Sequence, residues 1–217
     1  MNYNIEEIIS FVKTLDNYIV DGFFTENEVE NFIASIENDK TLNFTWDTGA
    51  TKLVLIPYRK DYVIKIPFNA TEEYEHFTFS NDYCESEINL YNEAVNNNYE
   101  DFFLPIEYCI SIKGGYPIYV QEKATPFLAL SEWQREKLCS NESFKIIKES
   151  KVKRHFRKLP EAWLACCLDK LGSEEELQNF LEFLDNFNIL SDLHYGNIGY
   201  YHNGSPVIFD YGGFFES

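Results

Sequence analysis

The sequence predicts an α+β protein with two lobes, an antiparallel-sheet lobe followed by a reduced helical lobe that carries a small hairpin. Between residues 42 and 123, short runs of β-branched and aromatic residues alternate with turns, a pattern typical of antiparallel strands. Before and after that region, apolar residues recur at helical spacing. We therefore expect a helical extension over 1–41, a first lobe over 42–123 and a second lobe over 124–217.

Length and composition agree with a folded domain of this size. The chain has 217 residues, 45% of them hydrophobic and 17% aromatic, which is enough to build a sizeable core. The predicted extension comprises a helix over residues 4–20 and a second helix that begins at a capping box formed by Thr25 and Glu28. We find no residues with evident chemistry in these two helices.

The first lobe is predicted to contain five strands and one helix. Gly114 and Gly115 separate the last two strands and predict a tight hairpin. Asp47 to Thr51 form a turn between the first two strands. The expected elements are strands over 42–46, 52–57 and 62–68, a helix over 81–96, and strands over 108–113 and 116–122.

The second lobe is predicted to be mostly helical. Ser173 and Glu176 form a capping box that begins a helix reaching about Phe187. A basic cluster within 151–158 is expected on a solvated helix face. The remaining elements are helices over 142–155 and 161–170, and a hairpin with strands over 198–201 and 207–210.

The formal net charge of −18 limits the classes of partner. Such an acidic surface repels nucleic-acid phosphates and anionic membranes, so we expect neither as a partner. The charge either serves solubility alone or attracts a cationic acceptor or a basic protein segment. Five irregularly spaced cysteines, no signal-peptide pattern and no run of about 20 apolar residues predict a cytoplasmic protein with reduced thiols.

Three polar residues near the end of the chain supply the kinds of group that phosphoryl transfer needs. Asp192 is expected in a loop after a helix, Asn197 follows five residues later, and a hairpin brings Asp210 back at a strand end. Phosphoryl transfer requires an orienting carboxylate beside the acceptor and a divalent metal on the phosphates. Mg²⁺ prefers hard oxygen ligands and takes few of them from the protein.

These residues resemble the catalytic and metal-binding motifs of the protein-kinase-like superfamily. Asp192 and Asn197 match D-x-x-x-x-N, and Asp210-Tyr211-Gly212 stands where D-F-G lies. The motif Asp-Leu-His-x-Gly-Asn is most similar to the corresponding motif of the aminoglycoside and choline kinase branch. The resemblance implies that Asp192 is the catalytic base and that Asn197 and Asp210 are Mg²⁺ ligands. His194 is expected to brace the loop.

A lysine within an apolar strand supports the resemblance. Lys65 in Tyr-Val-Ile-Lys-Ile is similar to the V-A-I-K lysine, which contacts the phosphates of ATP and pairs with a helix glutamate. A buried ammonium needs such a partner. Glu87 is the expected partner, because it shares a helical face with Tyr91, and Glu85 is the alternative.

The remaining nucleotide contacts are implied by position. Gly49 lies in the turn that corresponds to the phosphate-binding loop, and its backbone amide is expected near phosphate. Gln121, Glu122 and Lys123 end the fifth strand, where backbone groups of the family hold the adenine. The expected cofactors are therefore a purine nucleotide, ATP, and Mg²⁺.

The sequence also departs from the family pattern. One glycine replaces the three of the usual phosphate loop, Leu190 stands where histidine is usual, and the sequence stops seven residues after Asp210. The resemblance therefore covers a shortened version of the family, over residues 42–217. Three hypotheses follow. The first is an ATP- and Mg²⁺-dependent phosphotransferase acting on an unidentified hydroxyl, and the second is a catalytically weak module that binds nucleotide or a protein partner. The third is a nucleic-acid mimic whose acidic surface occupies a basic site on another protein.

Overall fold

A computed structural model describes residues 4–19, 26–39, 42–49, 52–67, 83–113, 117–150 and 159–211. The fold is mixed α+β, with a five-stranded sheet, a three-stranded sheet and several helices. The chain divides into two compact units, which are described separately. The first comprises residues 1–88 and 106–123, and the second comprises residues 89–105 and 124–217.

The five-stranded sheet of the first unit confirms the predicted antiparallel arrangement. Its order is β1-β2-β3-β5-β4, and every neighbouring pair is antiparallel. Asp47 and Thr48 were expected in a turn but extend β1 instead, because they pair with Val54 and Leu53. The strands are β1 Phe44–Thr48, β2 Lys52–Pro57, β3 Tyr62–Pro67, β4 Ile106–Ser111 and β5 Pro117–Glu122.

Two N-terminal helices cover one face of this sheet. They are α1, Ile5–Leu15, and α2, Glu26–Glu37. The Asn4 side chain accepts a hydrogen bond from the Glu6 amide and caps α1. The capping box predicted at Thr25 lies outside the described residues. The apolar helix faces and the sheet form one hydrophobic cluster that includes Ile8, Val12, Val29, Ile36, Leu53, Leu55, Ile64, Ile66 and Val120.

This shared cluster places α1 and α2 in the same compact unit as the sheet. The division therefore differs from the separate extension over 1–41 that we expected. An amphipathic helix must bury its apolar stripe, and an antiparallel sheet commonly has one apolar face. Both requirements are met here by packing the helices onto the sheet.

The helix α3, Tyr83–Asn96, follows β3 in the chain, as predicted. The boundary between the two compact units falls within it, after Ile88. Near its N-terminus, Cys84 and Ile88 pack with Ile106 and Tyr119 on the sheet face opposite to α1 and α2. This second face carries the charged residues considered below.

The second unit is built mainly from helices around an aromatic core. Trp163, Phe180 and Leu184 are completely buried in it. The predicted helix over 142–155 ends at Glu149, where Ser150 has extended backbone angles. The basic cluster of 151–158 lies outside the described residues. The helices are α4 Glu132–Lys137, α5 Asn141–Glu149, α6 Glu161–Leu171, α7 Glu174–Asn186 and α8 Ile189–Asp192.

A small antiparallel sheet completes the second unit. The predicted hairpin is present as β7, Ile198–Tyr200, and β8, Pro206–Ile208. A third strand that was not predicted, β6, Thr125–Pro126, pairs with β7. Within the described part of the chain, no helix combines the length and apolar character needed to cross a membrane.

Candidate functional site

Lys65 lies in the middle of β3, between Val54 of β2 and Tyr119 of β5. Side chains alternate between the two faces of a strand. Because Ile64 and Ile66 belong to the cluster formed with α1 and α2, Lys65 occupies the opposite face. Its side chain is nevertheless buried, with 3% of the residue exposed.

Glu87 on α3 forms the predicted ion pair with Lys65. The Lys65 Nζ atom lies 2.9 Å from Glu87 Oε2 and 3.2 Å from Oε1. Glu87 is completely buried, whereas the alternative candidate, Glu85, is exposed on the same helix. The expectation that a lysine inside an apolar strand requires a carboxylate partner therefore identified the correct residue.

A second lysine, which sequence analysis missed, contacts the same carboxylate. Lys52 Nζ lies 2.7 Å from Glu87 Oε1, and only 5% of the residue is exposed. Lys52 begins β2 on the face of Lys65, because Leu53 and Leu55 point into the opposite cluster. The sequence could have indicated Lys52 as well. Like Lys65, it adjoins apolar strand residues, and the requirement of a buried ammonium group for a carboxylate partner applies to both lysines.

We call Lys52, Lys65 and Glu87 the lysine–glutamate cluster. Its three charged side chains are all buried in the first unit. Removing charges from water costs several kcal/mol for each ion, so their mutual contacts are needed to keep them there. Glu87 holds both ammonium groups at one place on the sheet, beside the end of the β1–β2 hairpin.

Gly49, the predicted phosphate-loop residue, follows β1 and is exposed. Its N–H donates a 3.0 Å hydrogen bond to the Lys52 carbonyl. This amide is therefore engaged within the hairpin, which argues against its predicted role as a phosphate donor. Ala50 and Thr51, the rest of that turn, lie outside the described residues.

The segment predicted to hold adenine ends β5. Gln121 is buried and lies opposite Val63, whereas Glu122 and Lys123 are partly buried. The Lys123 N–H donates a 2.8 Å hydrogen bond to the Asp61 carbonyl. The backbone of the first unit thus holds the strand end in place, and adenine contact by these residues stays a prediction.

The motif residues of the second unit lie at the end of α8, in the loop that follows it and after β8. Asp192 was expected in a loop but is the last residue of α8, a four-residue helix. His194 braces the following turn as expected, because its Nδ1 atom accepts a 2.9 Å hydrogen bond from the Gly196 N–H. The Asn197 N–H in turn donates to the His194 carbonyl at 3.0 Å.

Backbone pairing brings Asn197 and Asp210 close together. Ile198 pairs with Ile208, and the Phe209 N–H donates a 3.0 Å hydrogen bond to the Asn197 carbonyl. Asp210 therefore directly follows Phe209, the residue whose backbone is hydrogen-bonded to Asn197. The next residue, Tyr211, is buried, and its hydroxyl donates to the Leu104 carbonyl at 2.8 Å. The predicted convergence of Asn197 and Asp210 is thus present at the level of the backbone.

Asn197 and Asp210 carry the kinds of oxygen atom that a hard cation prefers as ligands. Asn197 offers an amide oxygen and Asp210 a carboxylate, the kinds of ligand that Mg²⁺ takes together with substrate phosphates and water. Among the described residues, no group of three His, Cys, Asp or Glu side chains could hold a metal without other ligands. The amide of Asn197 and the carboxylate of Asp210 are of the kind that Mg²⁺ accepts, and Mg²⁺ binding by these two residues stays a prediction.

The predicted site residues fall into two groups, one in each compact unit. The lysine–glutamate cluster belongs to the first unit, and Asn197 and Asp210 belong to the second. No protein-family model matches the chain, and no curated protein has significant sequence similarity to it. The kinase-like resemblance therefore stays a prediction from the sequence motifs.

Proposed function

We propose that this chain is a kinase-like phosphotransferase that binds ATP with Mg²⁺ and transfers a phosphoryl group to a hydroxyl. The observation that carries the proposal is the buried ion pair of Lys65 and Glu87. A lysine in the third strand of an antiparallel sheet, fixed by a glutamate of the next helix, is the arrangement that orients ATP phosphates in kinases.

The roles of the residues follow from their chemistry. Lys65 would contact the phosphates, and Glu87 would hold the Lys65 ammonium group in the required position. Asn197 and Asp210 would hold Mg²⁺, which bridges phosphate oxygens and offsets the charge that develops during transfer. Asp192 would accept the proton of the acceptor hydroxyl, the part played by the first residue of the D-x-x-x-x-N motif.

The acidity of the chain bears on the acceptor. With a formal net charge of −18, the protein attracts cations over several ångströms and repels extended polyanions such as nucleic acids. A cationic small molecule or a basic protein segment is therefore the acceptor class that we favour. A nucleic-acid acceptor would have to overcome this repulsion.

The engaged amide of Gly49 supports a second candidate function. A kinase phosphate loop acts through its backbone N–H groups. In this chain the Gly49 N–H donates instead to the Lys52 carbonyl within the β1–β2 hairpin. A module that binds nucleotide or a protein partner, with little phosphoryl transfer, needs fewer such donors. The two functions share the nucleotide site and differ in the role of Asp192.

Calorimetric titration of the full chain with ATP, with and without Mg²⁺, tests the nucleotide site. We expect binding that depends on Mg²⁺ and is weakened by Asp210→Asn. Asp185→Asn is the matched control, because Asp185 is an exposed acid of the same unit and the change in charge is identical. Absence of heat and of thermal shift at millimolar ATP and Mg²⁺ would refute the site.

Substitution of Asp192 separates the enzyme from the binding module. A positioned general base contributes about 10²–10⁴-fold to rate. If the chain is a phosphotransferase, Asp192→Asn lowers the rate of ATP turnover by about that factor while the affinity for ATP changes little. Equal turnover by the wild type and the variant, with ATP binding retained in both, would favour the binding module.

A further inference from the structure

The most informative feature outside the motifs is the second lysine on Glu87. Lys52 and Lys65 contact the same Oε1 atom, at 2.7 Å and 3.2 Å. Nothing in the motif of the third strand requires a second cation there. The position of Lys52 beside Glu87 must therefore be explained from the register of the sheet.

The register of the sheet makes the two lysines neighbours. Lys65 is opposite Val54, so Lys52 lies two residues along β2 on the same face. Diagonal neighbours of this kind lie within reach of each other's side chains. Two ammonium groups that share one carboxylate oxygen also repel each other, and a multiply charged anion that contacts both relieves the repulsion.

The β1–β2 hairpin supplies the second step of the argument. In a phosphate loop, backbone N–H groups after the first strand meet the phosphates. Here the Gly49 N–H donates to the carbonyl of Lys52, the residue whose ammonium group adjoins Lys65. A side-chain donor thus stands at the end of the turn where the usual loop has backbone donors.

We infer that Lys52 and Lys65 form a paired-lysine clamp for the phosphate chain of the nucleotide, with Glu87 as the residue that positions both. This inference rests on the proposed nucleotide site and deepens it. Lys52 is then the residue that makes the site prefer polyphosphates, in place of a glycine-rich loop. The preference is for ATP over a nucleoside that shares the base but has no phosphates.

The test is calorimetric binding of ATP and of adenosine to full-length Lys52→Met. Loss of a charged contact predicts affinity for ATP about ten- to a hundredfold weaker, with the affinity for adenosine unchanged. Lys60→Met is the matched control, because Lys60 is a partly exposed lysine of the same unit, paired with Glu7, and its loss changes the charge equally. The control is expected to bind ATP as the wild type does.

A second measurement observes the lysines of the wild-type protein directly. In wild-type protein with ¹³C-labelled lysine, inorganic tripolyphosphate should shift the Cε signals of Lys52 and Lys65 and leave that of Lys60 in place. Lys52→Gln, which keeps a polar side chain, assigns the signal. Shifts confined to Lys65 would overturn the inference.

The outcomes distinguish this inference from the proposed function. If the wild type binds neither ATP nor tripolyphosphate, both fail. If the wild type binds ATP and Lys52→Met binds it as tightly as Lys60→Met does, the clamp fails and the nucleotide site stands. If Lys52→Met loses ATP and adenosine to the same extent, Lys52 serves the structure alone and the clamp is again refuted.

Discussion

The two compact units hold their candidate site residues in different ways. In the first unit, ion pairs between side chains fix Lys52 and Lys65 on Glu87, within a buried face of the sheet. In the second unit, backbone hydrogen bonds fix Asn197 against the hairpin of β7 and β8. Charge pairing therefore holds the candidate residues of the first unit, and backbone pairing holds those of the second.

This difference predicts which substitutions damage each unit. A buried ion cluster is sensitive to the loss of one charge, because its partners remain desolvated. A backbone-paired loop is sensitive to bulk at positions of close approach and to the loss of individual hydrogen bonds. The following predictions test that contrast, from the largest expected effect to the smallest.

Glu87→Ala should have the largest effect on stability. It leaves two buried ammonium groups without their shared carboxylate, and breaking a buried pair in this way costs about 3–5 kcal/mol. Urea unfolding of the full chain measures the loss as a lower midpoint. Glu93→Ala on the same helix is the control, since Glu93 is only partly buried. Similar midpoints for the two variants would show that the ion cluster contributes little.

Gly199→Ala should be the most damaging small change in the second unit. A Cβ atom at Gly199 would lie 2.2 Å from the Thr125 carbonyl oxygen, so β6 and β7 would have to separate. We expect a loss of about 1–3 kcal/mol, the usual cost of overpacking. Gly49→Ala in the first unit is the control, because its Cβ atom would meet nothing within 4 Å. Equal urea midpoints for both variants would contradict the close approach.

Tyr211→Phe tests the anchor that follows Asp210. It removes the buried hydrogen bond from the Tyr211 hydroxyl to the Leu104 carbonyl and keeps the aromatic ring. The expected loss is about 1 kcal/mol. Tyr195→Phe, at an exposed tyrosine of the same unit, should leave the urea midpoint unchanged. A more stable Tyr211→Phe would show that the hydroxyl contact is dispensable.

Asp169 should give the smallest effect, visible as a dependence on pH. Partial burial raises the pKa of Asp169, but hydrogen bonds from the Ser143 hydroxyl, the Ser140 amide and the Ser140 hydroxyl outweigh it, so the net pKa lies below its ordinary value. A lowered pKa contributes stability above the unfolded value of about 3.9, and this contribution is lost as pH falls through the folded value.

Acid titration followed by circular dichroism checks this prediction. Below about pH 4, where the wild-type carboxylate becomes protonated, the stability of Asp169→Asn should fall less steeply with decreasing pH than that of the wild type. Asp185→Asn, at an exposed aspartate of the same unit, should retain the wild-type profile. Identical acid profiles for the wild type and Asp169→Asn would show that the three hydrogen bonds do not favour the ionised form.

Much of the secondary structure follows from local patterns. The β-rich runs in Lys52–Pro57 and Tyr62–Pro67, the helical spacing of Ile8, Val12 and Leu15, and the cap at Ser173 each depend on residues a few positions apart. The pairing of Lys65 with Glu87 was also predictable, because a buried ammonium demands a carboxylate and few candidates lie on the following helix.

Other features depend on contacts between residues distant in sequence. The proximity of Lys52 to Lys65 follows from the register of β2 and β3, which no local pattern specifies. The two-residue strand β6 exists because Gly199 lets the chain at Thr125 approach β7. A strand of two residues is too short to form a recognisable periodic pattern.

By itself, the sequence determined which residues must be buried and which charged groups need partners, because hydrophobic spacing and the cost of desolvating an ion are local properties. The tertiary structure decided which partners they meet. It placed α1 and α2 on the sheet, brought a second lysine to Glu87 and directed the Gly49 amide to the Lys52 carbonyl. Each of these outcomes depends on strand register and on the packing of distant segments, where several pairings satisfy the same local rules.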